Sequence, residues 1–62
     1  MPLIHVHMHE GRTVEQKRHL VAAMTEAVVK SLDVNPETVR IIIHDMSKQN
    51  YAVAGILHSD KK

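Results

Sequence analysis

One stretch limits the folds open to this chain more than any other. From Thr13 to Leu32 the sequence reads as a single amphipathic helix set between two runs with strand character. Thr13-Val14-Glu15-Gln16 has the form of a capping box, in which Thr13 accepts from a first-turn amide and Gln16 reaches back to the Thr13 amide. Val14, Leu20, Val21, Met24, Ala27, Val28 and Leu32 recur at spacings of three, four and seven, which is one apolar stripe. Glu15, Lys17, Arg18, Glu26 and Lys30 fall on the wet side. No breaker interrupts the pattern, so it predicts a helix from about Val14 to about Leu32.

The run before the helix alternates strictly. Ile4, Val6 and Met8 point one way; Leu3, His5, His7 and His9 point the other. Pro2 stands at its start, and Glu10-Gly11 ends it. After the helix, Asp33-Val34-Asn35-Pro36 is a linker, with Asn35 as a cap and Pro36 at the first position of a short 3₁₀ turn. Val39 to Met46 is the second strand, led by the β-forming Ile41-Ile42-Ile43 run. Val39, Ile41 and Ile43 share one face; Arg40, Ile42, His44 and Met46 share the other. Apolar residues on both faces predict a strand covered on both sides. Ser47 to Asn50 reads as a polar loop. Tyr51 to His58 reads as a small hairpin or a strand bending at Gly55, and Ser59 to Lys62 as a frayed end.

A crossover of this length joins parallel strands with right-handed geometry. The expected fold class is α/β (α+β): one β-α-β unit with a short C-terminal hairpin, in a single domain over residues 1–62. Two strands and one helix leave sheet edges and a sheet face uncovered. Small chains usually need a disulfide, a metal or self-association, and there is no cysteine. Completion by oligomerisation is therefore expected. Eight Lys or Arg stand against seven Asp or Glu, and Tyr51 is the one aromatic residue, so no nucleic-acid footprint is present. No apolar run reaches the ~20 residues of a membrane span, and no signal peptide is visible. A cytoplasmic protein is the default.

Several residues can carry chemistry. Pro2 is either a strand starter or, if Met1 is removed, a free secondary amine that is both base and nucleophile. Arg12 can be a solvated residue after a turn. Arg40 sits within an apolar β run, where a charge calls for a partner or a ligand. Tyr51 can simply pack with a wet hydroxyl. His5, His7 and His9 share one strand face and form an alternative metal site, with His44 as a further ligand. His19 and His58 read as exposed.

Met-Pro at the start, Glu10-Gly11-Arg12, Glu15-Gln16-Lys17, Val39-Arg40-Ile41-Ile42-Ile43 and Tyr51-Ala52-Val53-Ala54-Gly55 together resemble the 4-oxalocrotonate tautomerase family, over almost the whole chain. The resemblance implies dimers that usually assemble into a homohexamer. It implies keto–enol tautomerisation of small dicarboxylates of the 2-hydroxymuconate type, without a cofactor, in aromatic compound catabolism. It places the general base and acid at Pro2, the substrate-binding arginines at Arg12 and Arg40, and the aromatic wall at Tyr51. An α-amino group ordinarily titrates at about 7.7–8.0, and neighbouring positive charge lowers it toward the working pH. Guanidinium forks suit carboxylates and a developing oxyanion. One β-α-β unit cannot easily gather all these groups, so a site shared between subunits is expected. His9 departs from the family, where an apolar residue usually lines the pocket, and makes the pocket more polar. The alternatives to a tautomerase are an oligomeric metal-binding protein using His5, His7 and His9, and a noncatalytic member of the fold.

Overall fold

The computed structural model describes residues 1–61. β1 spans Leu3–His9, α1 spans Val14–Leu32 and β2 spans Arg40–Met46; β3 (Ala52–Val53) and β4 (Ile56–Leu57) form a terminal hairpin. β1 and β2 pair in parallel, with Leu3 opposite Arg40, His7 opposite His44 and His9 opposite Met46. The β-α-β unit and the hairpin are thus as the sequence predicts.

The helix begins where its cap dictates. Thr13 Oγ1 accepts from the Gln16 amide at 3.1 Å, and the Thr13 amide donates to Gln16 Oε1 at 2.9 Å. It ends at Asp33, which adopts a left-handed conformation at φ 53 and returns its N–H to Val29. Leu20, Val21, Met24, Val28 and Val29 are half-buried against the sheet face that carries Ile4, Val6, Met8, Ile41 and Ile43. Val14 and Leu32, expected on the apolar stripe, are exposed at 62% and 59% because they lie at the helix ends, beyond the strands. Lys17 is a second correction. It turns from the wet side toward the sheet, where its Nζ meets Asp45 Oδ2 at 2.6 Å.

β2 starts one residue later than predicted. The Val39 N–H is used to close the 3₁₀ turn Pro36–Thr38 by donating to the Pro36 carbonyl. Asn35 caps that turn through the Glu37 amide at 3.0 Å, as its place before proline suggests. Ser47–Asn50, expected as a loop, contains a 3₁₀ turn (Lys48–Asn50) capped by Ser47 Oγ. The end of the chain is ordered further than predicted. His58–Asp60 form a 3₁₀ turn, while Lys62 lies outside the described residues.

Among the described residues none is buried. The accessible surface is 5014 Å², against about 4,000 Å² for a compact chain of this mass. The radius of gyration is 14.9 Å, against about 11 Å for a globular chain of this length. The fold is an open slab of 44 × 24 × 13 Å with one helix on one sheet face. β2 is accordingly covered on one face only within the chain, and Ile42 on the open face is 42% exposed. Leu3, Tyr51, Val53 and Ile56 are also open to solvent. So much uncovered apolar surface is the mark of a chain shaped for partners.

Candidate active site

The candidate residues fall into two groups at opposite ends of the strand pair. The parallel register brings the start of β1 beside the start of β2. The Arg40 amide donates to the Pro2 carbonyl at 3.0 Å, so the two residues adjoin through their backbones. With Met1 attached, the Pro2 nitrogen is an amide and has no basic lone pair. The Arg40 guanidinium Nη1 lies against Met1 Sδ.

The other group lies where the strands end. The Glu10 amide donates to the Met46 carbonyl at 2.9 Å and holds the two strand ends together. Arg12 follows the Gly11 turn, whose φ of 111 suits glycine, and lines an open cavity with Met8, His9, Glu10 and Gly11. Tyr51 stands edge-on to His9, with ring centroids 4.9 Å apart and planes at 90°. Pro2 and Arg40 are thus together, and His9, Arg12 and Tyr51 are together. Between the two groups lies the length of β1, roughly 20 Å at the usual rise per strand residue.

His58 was expected to be exposed. It is half-buried and stacked on His9, with centroids 4.7 Å apart and planes at 20°. The signal for it was weak: the hairpin register, which ends with the His58 amide donating to the Tyr51 carbonyl at 2.8 Å, sets its place, and no local pattern does. His19, by contrast, is exposed as predicted.

The alternative metal set does not assemble within one chain. His9 turns to Tyr51 and His58, while His5 and His7 flank His44 from the neighbouring strand. Their rings lie nearly parallel, with centroids 5.1 and 4.5 Å from that of His44, and His5 Nδ1 is 2.9 Å from His44 Nε2. Alternate strand residues are about 6.6 Å apart, so their rings line up in a row and do not converge on a point. Among the described residues no three or more His, Asp or Glu side chains are grouped to hold a metal ion. Among the same residues no helix is long and apolar enough to cross a membrane.

Comparison with known proteins extends the geometry. The sequence model of the family described as tautomerase enzyme matches residues 2–61. A probable tautomerase of Halalkalibacterium halodurans is 44% identical over 98% of this chain and 100% of its own. A 4-oxalocrotonate tautomerase isozyme from Methylibium petroleiphilum superposes with a TM-score of 0.89 at 52% identity, covering 94% of this chain and 91% of that one. A heterohexameric 4-oxalocrotonate tautomerase from Chloroflexus aurantiacus superposes with a TM-score of 0.91 at 34% identity, covering 100% of both chains. The β-α-β architecture, the terminal hairpin and these matches over nearly the full length converge: the chain belongs to the 4-oxalocrotonate tautomerase family of the tautomerase superfamily and is an isomerase of that type.

Proposed function

We propose that this protein is a cofactor-independent tautomerase of small 2-hydroxy-dienoate and 2-oxo-enoate dicarboxylates such as 2-hydroxymuconate, with Pro2 as general base and then general acid. The observation that supports this is the Arg40–Pro2 backbone hydrogen bond, which makes Arg40 a neighbour of the one residue whose nitrogen becomes a secondary amine when Met1 is removed. Removal of Met1 is a step of the mechanism. It creates the base.

A keto–enol shift takes a proton from one atom and returns it to another. The Pro2 amine accepts the hydroxyl proton of the dienol and delivers a proton to the carbon end of the conjugated system. The Arg40 guanidinium favours the neutral amine by its charge, which makes Pro2 a base near neutral pH. Arg40 also stabilises the negative charge that builds on the 2-oxygen or the adjacent carboxylate.

Arg12, Tyr51 and His9 complete the site from a second copy of the chain. Their distance from Pro2 within one chain, together with the uncovered sheet face and hairpin, supports a homo-oligomer of dimers in which one copy's strand start meets another's strand end. A hexamer fits this scheme and the assembly of the Chloroflexus relative. In it Arg12 binds a carboxylate bidentately and Tyr51 excludes water. The same reading places the enzyme in the cytoplasm, in the breakdown of aromatic compounds. The test is turnover of 2-hydroxymuconate by Arg40→Ala. A fall in kcat/KM of about 10²–10³ is expected for loss of an oxyanion-type charge, and unaltered turnover would refute the assignment.

A further inference from the structure

Arg12 stands on a segment with little apolar anchorage. From Glu10 to His19 every residue is exposed except Lys17, which is half-buried. Val14, the apolar side chain nearest the turn, is 62% exposed. The first apolar residue of α1 that packs on the sheet is Leu20, about 10 Å along the helix from the Thr13 cap at the usual rise per residue. Hydrophobic packing therefore fixes the middle of α1. The start of the helix, and the Glu10–Thr13 turn before it, are left to polar contacts.

Among the described residues two polar contacts tie this segment to β2, and they end on adjacent residues. At the entry to the turn, the Glu10 amide donates to the Met46 carbonyl at 2.9 Å. Beyond its exit, Lys17 Nζ donates to Asp45 Oδ2 at 2.6 Å. The Lys17 amide also donates to the Thr13 carbonyl at 3.1 Å, which links the ion pair back to the end of the turn. The turn that carries Arg12 is thus closed into a ring through Met46, Asp45, Lys17 and Thr13. The capping box fastens Thr13 to the helix but does not fasten the helix to the sheet. The other ion pairs of the described residues, Arg18–Glu15, His19–Glu15 and Lys30–Glu26, stay within α1. Lys17–Asp45 alone joins two elements, with side chains only 28% and 40% exposed.

We propose that Lys17 and Asp45 are a positioning pair for Arg12. Their ion pair clamps the start of α1 to β2, and with it the turn from which Arg12 reaches a substrate carboxylate. This rests on the tautomerase reading for the role of Arg12. A carboxylate held away from the reacting atoms is bound alike in the ground state and the transition state. Loosening Arg12 therefore raises KM and leaves kcat nearly as it was.

The experiment is a double-mutant cycle on the full oligomer. Lys17→Met keeps the aliphatic stem and removes the ammonium; Asp45→Asn keeps the shape of the partner and removes its charge. Each should raise KM for 2-hydroxymuconate about fivefold, the size of one partly exposed charge contact, with sedimentation unchanged. Lys17→Arg should keep KM near the wild-type value. In an Arg12→Ala background, Lys17→Met or Asp45→Asn should leave kcat/KM unchanged, because the residue they position is gone. A merely structural pair would lower it there as well. A further fall of about fivefold in that background, or a KM that both variants leave unaltered, overturns the proposal. If 2-hydroxymuconate is not turned over by the wild type, the tautomerase reading fails separately, and the backbone amide order parameters of Gly11 and Arg12 then decide. Values that fall in Asp45→Asn and hold in Lys17→Arg support the clamp. Values equal in wild type and both variants overturn it.

Discussion

At the residue scale Arg40 and Pro2 adjoin through their backbones, as the parallel register requires. Pro2→Ala keeps a primary amine at the chain start, so it should lower kcat/KM without abolishing turnover. In the same assay Arg40→Ala should lose far more. Arg40 stood out in the sequence because a charge inside Val39–Ile43 is chemically out of place. Arg12 and Tyr51 were named through resemblance, and the chain alone does not bring them to Pro2. His58 was misjudged because its burial comes from a hairpin folding back onto β1, a contact between residues distant in sequence. Lys17 was misjudged for a related reason: helix periodicity put it among charged residues, and Asp45 on β2 drew it inward.

At the scale of elements, local chemistry decides most of what is seen. The capping box alone located the start of α1, and Thr13→Ala should cost about 1 kcal/mol of stability, read from denaturant midpoints at fixed protein concentration. The β3–β4 turn carries a cost that the sequence did not announce. Ala54 and Gly55 both adopt positive φ, 54 and 81, as a two-residue I′-type turn requires. Glycine does this freely and alanine does not. Ala54→Asn should therefore raise stability by roughly 0.5–1 kcal/mol, seen as a higher denaturation midpoint. Helix limits and strand faces were legible because they follow from periods of 3.6 and 2. The 3₁₀ turns at Lys48–Asn50 and His58–Asp60 were not, since each rests on one or two hydrogen bonds with no repeating pattern.

At the scale of the whole molecule, the excess surface and large radius of gyration say that this fold is one part of something larger. Folding linked to assembly makes thermal stability depend on concentration, so Tm should rise steadily as the protein is concentrated. A Tm independent of concentration, with a monomer in sedimentation, would contradict the oligomer. A shared site predicts complementation. Arg40→Ala chains retain Arg12, and Arg12→Ala chains retain Pro2 and Arg40. Co-refolding them in equal amounts should restore intact sites at about a quarter of positions by random mixing, although each variant alone is impaired. Activity no greater than the average of the two parents would place the site within one chain. In the proposed scheme a freed Pro2 nitrogen is the base of the assembled enzyme. It is tested most directly by measuring 2-hydroxymuconate turnover on one preparation before and after methionine aminopeptidase treatment, with each state identified by intact mass. Turnover is expected only after Met1 is gone; equal turnover with Met1 still attached would refute Pro2 as the base.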